Sequence, residues 1–196
     1  MTTLVTQQAP DFTAQAVYGD NSIKELQLSK LRGKYVVLFF YPLDFTFVCP
    51  SEIIAFDKQL DAFKSRNCEV VGVSVDSHFC HFAWKQVEPK AGGIGNIRYP
   101  LVADLNKKIA EAYGVLLADG GVALRGLFLI DKDGIVQHQL VNNLPLGRNV
   151  DEALRLVDAL QFFEAHGDVC PANWHKGDEG MKPNAKGVAA YLEKHA

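Results

Sequence analysis

Cysteine is scarce in these 196 residues: there are four, at positions 49, 68, 80 and 170, and no two form a Cys-x-x-Cys pair. So few and so scattered, they cannot staple a chain of this length, which excludes a disulfide scaffold and, for want of a vicinal pair, a dithiol oxidoreductase. Excess charge of one sign is lacking too. The formal charge is −3, which offers no electrostatic footprint for nucleic acid or an anionic membrane. No run of 18 apolar residues occurs, so no membrane span is expected. The opening MTTLVTQQAPDF has neither a basic residue nor an apolar stretch of leader length. A cytoplasmic protein is expected, in a reducing compartment that keeps most thiols free. Repeats, low-complexity tracts and heptads are also absent. What remains is 48% hydrophobic and 22% charged, a composition and length suited to one globular unit with an extra arm.

Four short runs read as strands, because they are rich in β-branched and aromatic residues and bounded by Gly, Asp or Pro: YVVLFFY (35–41), EVVGVSV (69–75), RGLFLI (125–130) and IVQHQLV (135–141). The first two are nearly continuous in apolar residues, as expected when both faces of a sheet are covered. DKDG (131–134) reads as a hairpin turn joining the last two.

Helical patterns lie between them. Ile53, Phe56, Leu60 and Phe63 recur at three and four within 50–66, with Pro50 suited to the first turn and Asn67 to the end. Residues 77–88 run from Ser77 to before Pro89, 107–113 end at Gly114, and 150–165 open with Asn149 and Glu152 in capping-box spacing. The interleaving predicts an α/β sandwich with parallel crossovers and an antiparallel hairpin at one edge. After Gly167 the chain turns polar and rich in Gly and Pro before a short helical VAAYLEKH. The predicted division is therefore a domain over 1–166 and a C-terminal arm over 167–196.

Within FFYPLDFTFVCPSE, Cys49 falls at a strand-to-helix junction, in the first turn of the following helix. Unpaired N–H groups and the positive end of the helix dipole favour an anion there, and a thiolate is such an anion. An ordinary thiol is only about 3% ionised at pH 7, and raising that to about 90% takes on the order of 3.4 kcal/mol. One helix end supplies at most about 2 kcal/mol, so a further positive or donor group is needed. Otherwise Cys49 is simply a small buried hydrophobe. Thr46, three residues earlier, has a hydroxyl that can reach the sulfur, and Pro42 can shield the site and fix the loop.

Pro42-x-x-x-Thr46-x-x-Cys49 resembles the signature of the typical two-cysteine peroxiredoxins, and VCPANW around Cys170 is similar to that family's resolving-cysteine segment. The likeness extends over nearly the whole chain, through APDF, SVDSHF, the Ala83-Trp84 pair, RGLFLID with Arg125, and GRNVDEALR with Arg148. It implies a thioredoxin-like sandwich, a central mixed β-sheet flanked by helices, with a C-terminal arm. It also implies a thiol-dependent peroxidase that reduces hydrogen peroxide and organic hydroperoxides. By the resemblance Cys49 is the peroxidatic cysteine, Thr46 and Arg125 bind and polarise the peroxide, Pro42 shields the sulfur, and Glu52 and Arg148 orient Arg125. Cys170 is the resolving cysteine, supplied by a second subunit to form an intersubunit disulfide. The implied assembly is a homodimer, commonly built into a ring of five dimers. The implied electron donor is thioredoxin or a flavoprotein disulfide reductase, and no cofactor or metal is called for. A holdase chaperone or peroxide sensor is the alternative.

Other features carry less. Cys68 and Cys80 match no catalytic position of the family. His78, Cys80 and His81 invite a zinc assignment, but successive helical residues point about 100° apart and no fourth ligand follows at a usual spacing. His138, His166 and His175 read as surface or packing residues, and Trp84 and Trp174 as either subunit contacts or core. AGGIG (91–95) lacks the spacing and the preceding strand of a dinucleotide-binding loop. It resembles the glycine element that, with a Tyr-Phe pair in the last helix, marks overoxidation-sensitive peroxiredoxins. Here that pair is Tyr191-Leu192, so an intermediate sensitivity is expected.

Overall fold

The computed structural model describes residues 3–195. It divides into two compact units, with the boundary after Val150. The first contains β1 (Thr13–Val17), β2 (Ile23–Gln27), β3 (Tyr35–Phe40), α1 (Cys49–Lys58), α2 (Leu60–Lys64), β4 (Cys68–Ser74), α3 (His78–Lys85), β5 (Leu101–Ala103), α4 (Lys108–Ala112), β6 (Leu116–Leu117), β7 (Val122–Ala123), β8 (Arg125–Ile130) and β9 (Val136–Asn142). Seven strands form one sheet in the order β2-β1-β5-β4-β3-β8-β9, and β6 pairs with β7 apart from it. The centre is parallel, β3 with β4 and β4 with β5, while β8 and β9 add an antiparallel hairpin at one end and β1 and β2 another at the other. This is the expected mixed sheet flanked by helices.

Strand β3 is buried at every residue because helices cover both faces. Val36, Leu38 and Phe40 point into a cluster with Ile109, Tyr113 and Phe128. The alternate residues serve the other face, where Phe39 stacks on Phe56 of α1 at 4.5 Å and Tyr41 lies 6.3 Å from Trp84 of α3. A period of two along β3 thus anchors the helices of the Cys49 side. Trp84 is fully buried, and its indole donates to the Gly92 carbonyl at 3.2 Å. Between its two suggested readings, Trp84 takes the core one. The AGGIG segment is a loop, tight enough that a Cβ on Gly93 would lie 1.9 Å from the Val87 carbonyl oxygen.

The predicted elements are displaced by up to three residues, with three differences. The continuous helix over 50–66 is broken at Gln59 (φ −96°, ψ 4°) into α1 and α2. There Arg98 takes the Asp57 carbonyl at 2.6 Å and both the Asp57 and Asp61 carboxylates, so a side chain diverts a carbonyl at the turn where the ladder lapses. Strands β1 and β2 were not predicted, since IKELQ is a largely exposed edge strand and TAQAV buries only its last two residues. Nor were β5 and the two-residue β6 and β7, which are too short to signal. The DKDG turn is as expected: Asp131 Oδ1 accepts from the backbone N–H of Asp133 (2.9 Å) and Ile135 (2.8 Å), and Gly134 adopts φ +77°.

The second unit comprises α5 (Val150–His166), which starts at the boundary residue, an irregular segment, and α6 (Ala185–His195). Ala153, Leu154 and Val157 form a buried face of α5. A backbone bridge between Val169 and Met181, 2.9 Å in each direction, closes the irregular segment into a loop. Trp174 is 3% exposed and packs on Phe162 at 4.9 Å, again the core reading. Among the described residues no helix is long and apolar enough to cross a membrane.

Candidate active site

Beyond β3, Tyr41 adds one more ladder bond, from its N–H to the Val73 carbonyl at 3.0 Å, and the buried Pro42 then turns the chain away. Cys49 is the first residue of α1, with Pro50 in the first turn where a missing N–H costs nothing. Its side chain is fully buried. The Thr46 Oγ1 lies 2.9 Å from Cys49 Sγ and 2.8 Å from the Leu43 carbonyl oxygen. That hydroxyl has one hydrogen for two acceptors. With a protonated thiol the chain runs from S–H to Oγ1 to the carbonyl; with a thiolate the hydroxyl hydrogen turns to the sulfur.

Arg125, the first residue of β8, aims Nη1 at Cys49 Sγ (3.3 Å) and at Glu52 Oε2 (2.7 Å), while its Nε donates to the Leu144 carbonyl at 2.6 Å. Glu52 stands three residues beyond Cys49, on the same face of α1. Its other oxygen accepts from the Arg148 backbone N–H (2.9 Å) and Nε (2.7 Å), and Arg148 Nη2 reaches Oε2 at 2.9 Å. Arg148 Nη1 donates to the Phe40 and Gly126 carbonyls. Every group in this lattice is buried and partnered. Removing one member of such a buried ion network typically costs about 3–5 kcal/mol, since the others are left uncompensated. Two guanidinium groups against one carboxylate leave one positive charge in excess beside the sulfur. A thiolate balances it, and so does negative charge developing on an oxygen bound there.

Cys170 belongs to the second unit and is half-buried. Its Sγ lies 3.5 Å from the Ala159 carbonyl, an acceptor that suits a protonated thiol. Burial pushes this thiol up, and Arg155 opposes the shift only in part. Arg155 is bound to Glu152 at 2.6 Å and 2.7 Å and to the Trp174 carbonyl at 3.0 Å. The other two cysteines stay neutral. Burial pushes the Cys68 thiol up to about 12, and burial together with the Asp44 and Asp76 carboxylates does the same to Cys80.

The residues expected to form a site in the first unit, Cys49, Thr46, Arg125, Glu52 and Arg148, are brought together, with Pro42 buried in the loop that leads to them. A second cluster was not anticipated. Asp44, Asp76 and Cys80 hold their ligand-type atoms within 4.8 Å of one another, but the Asp44 carboxylate is already occupied by Tyr41 and His81, and that of Asp76 by Ser74 and the Asp44 N–H. The signal for it was an aspartate at position 44, between the apolar Leu43 and Phe45. In the last helix, Tyr191 stacks on His195 at 4.3 Å and Leu192 is 51% exposed.

Residues 5–139 match the AhpC/TSA family, and residues 159–194 match the C-terminal domain of 1-Cys peroxiredoxin. The chain is 55% identical over 186 residues to peroxiredoxin-1 of Gallus gallus, covering 95% of this chain and 94% of that one. It is 51% identical over 192 residues to a thioredoxin peroxidase of Echinococcus granulosus, covering 98% and 99%. Among solved structures, the reduced 2-Cys peroxiredoxin of Plasmodium vivax superposes with a TM-score of 0.96 at 58% identity, over 98% of this chain and all of that one.

Proposed function

This chain belongs to the AhpC/TSA family, and from that premise we propose that Cys49 is the peroxidatic cysteine of a two-cysteine cycle. The protein is a thiol-dependent peroxidase of the peroxiredoxin type, acting in antioxidant defence. Its family membership favours that activity over a holdase or sensor role. The observation that carries the assignment to Cys49 is a fully buried sulfur held between the Thr46 hydroxyl and an Arg125 guanidinium fixed by Glu52.

In the first step the Cys49 thiolate attacks the terminal oxygen of hydrogen peroxide or an organic hydroperoxide. An S–O bond forms, the O–O bond breaks, and the leaving oxygen departs with the electron pair and takes a proton to become water or an alcohol. Arg125 and Thr46 hold the two oxygens as charge moves between them, and Pro42 keeps solvent from the sulfur. In the second step the Cys170 sulfur of a second subunit attacks the Cys49 sulfenic acid. An S–S bond forms, the S–O bond breaks, and water leaves. A disulfide needs the two Cα atoms within about 4.4–6.8 Å, so the first turn of α1 has to unwind. Amide exchange over residues 47–53 is expected to be faster in the disulfide form than in the reduced form, and equal protection would refute the step.

The disulfide is returned to two thiols by an external dithiol, thioredoxin or a flavoprotein disulfide reductase. The catalytic domain spans 1–166 and the arm 167–196 carries the resolving thiol. The working unit is a homodimer that assembles into a decamer, cytoplasmic, without cofactor, metal, nucleic-acid or membrane partner. The test of the assignment is peroxide consumption by the reduced protein. Wild type removes one equivalent of hydrogen peroxide per chain before any reductant is added, and Cys49→Ser removes none. Consumption that survived Cys49→Ser would sink it.

A further inference from the structure

Between Pro42 and Thr46 the loop carries a strained residue, Phe45, a bulky aromatic at φ +55° and 53% exposed. The left-handed region is unfavourable for such a side chain, so the neighbouring structure must hold it there. Phe45 makes one ring contact, with Trp84 at 5.6 Å. The firmer hold is one residue earlier. Asp44 is 6% exposed, and three partners fix it: the Tyr41 hydroxyl donates to Oδ1 at 2.8 Å, His81 Nδ1 faces Oδ2 at 2.8 Å, and the Asp44 backbone N–H donates to Asp76 Oδ2 at 2.8 Å.

Those partners are themselves anchored. His81 is fully buried on α3, and its Nε2 faces the Val102 carbonyl at 3.2 Å. Asp76 is tied to the end of β4 through Ser74, whose hydroxyl donates to Asp76 Oδ2 at 2.8 Å and accepts from the Asp76 N–H at 3.2 Å. None of these groups touches the Cys49 sulfur in the hydrogen-bond pattern of the site, and the peroxide chemistry makes no direct use of them. What they hold is the backbone that delivers the Thr46 hydroxyl to 2.9 Å from the sulfur. Thr46 sits two residues beyond Asp44, directly across the strained Phe45.

We propose that Asp44, clamped by Tyr41, His81 and Asp76, is a positioning residue for the peroxidatic step, holding the Phe45 backbone in its left-handed conformation so that Thr46 presents its hydroxyl to sulfur and peroxide. This rests on the peroxidase assignment of Cys49. The clamp acts through Thr46, so its effect depends on that side chain being able to bond. A purely structural contribution to the fold does not have this dependence.

The test is a double-mutant cycle on the rate of Cys49 oxidation by hydrogen peroxide in a single turnover of the reduced full-length protein. Asp44→Asn keeps the shape but exchanges one acceptor oxygen for an amide, and is expected to slow oxidation about tenfold in wild type. In a Thr46→Val background, where the hydroxyl is already gone, the same change is expected to cost less than twofold. Tyr41→Phe, which removes one anchoring hydroxyl and keeps the ring packing, is the second entry to the cycle and reads the same way if Asp44→Asn does not fold. It is expected to slow the wild type about threefold and the Thr46→Val protein not measurably. Equal slowing in both backgrounds, or none in wild type, overturns the proposal. Failure of the underlying assignment is distinguishable, because it appears as peroxide consumption persisting in Cys49→Ser.

Discussion

Cys49 and Cys170 each lie near an arginine, yet the two surroundings treat sulfur in opposite ways. At Cys49 the guanidinium is buried, fixed by Glu52 and the Leu144 carbonyl, and aimed at the sulfur from 3.3 Å with a hydroxyl opposite. Around Cys170 the Arg155 guanidinium is spent on Glu152 and a carbonyl, the nearest partner of the thiol is a carbonyl oxygen, and burial holds the proton on. One site points a guanidinium and a hydroxyl at its sulfur. The other keeps a neutral thiol until something draws its proton away. The difference is that an arginine activates a cysteine only when its own hydrogen bonds orient it toward sulfur, so proximity in sequence or space is not enough.

The largest effect that sharpens this contrast separates the two cysteines in time. Cys170→Ser is expected to leave the first turnover with peroxide within about twofold of wild type and to abolish steady-state turnover with a dithiol reductant, read by stopped-flow and then by multiple-turnover assay. A slow first turnover in this variant would mean that the two sulfurs do not act in sequence. Next, Arg125→Gln keeps a donor but loses the charge and the fork, and the first-turnover rate is expected to fall about 10²–10³-fold, the usual cost of one oriented donor at a developing oxyanion.

A smaller effect follows from the raised Cys170 thiol. Because burial lifts it, the thiolate is the minor form at neutral pH and its fraction grows about tenfold per pH unit until the thiol's own titration is reached. Disulfide formation, followed after a single peroxide pulse, is therefore expected to accelerate from pH 6 to pH 7 by about tenfold. Arg155→Ala removes the cation that opposes the shift, so it should slow that step at fixed pH. A flat profile would place the limit elsewhere than at Cys170. The smallest effect is at the C-terminal helix. Leu192 is half-exposed, and replacing it by Phe completes the Tyr-Phe pair expected, from the resemblance of AGGIG, to go with overoxidation sensitivity. Leu192→Phe is expected to raise the sulfinic acid formed at Cys49 severalfold at equal peroxide dose, measured by intact mass. An unchanged dose response would remove the packing explanation.

The contrast also marks what could be read from sequence. The grouping of residues around Cys49 was legible because its partners are local or carry a signature: Thr46 and Glu52 lie three residues to either side, and the Arg125 and Arg148 segments resemble those of the family. Strands β3, β4, β8 and β9 were legible because burial on both faces, or a turn at Gly134, leaves a compositional trace. The strands β1 and β2 at one end of the sheet left none, since their ladder partners rather than their side chains define them. The break at Gln59 was invisible for a related reason: Arg98, 39 positions away, makes it. The Asp44 cluster escaped because its members come from the ends of β3, β4 and α3 and meet only when the sheet is assembled. Local propensity finds elements, whereas buried polar networks belong to the topology.

The most direct test of the two-sulfur account adds one equivalent of hydrogen peroxide to the fully reduced protein, quenches free thiols, and maps the cross-linked peptides after non-reducing electrophoresis. The account predicts a two-chain species joined by Cys49 and Cys170, absent from both Cys49→Ser and Cys170→Ser. A bond that instead used Cys68 or Cys80, or a chain that stayed monomeric with Cys170 free, would contradict it.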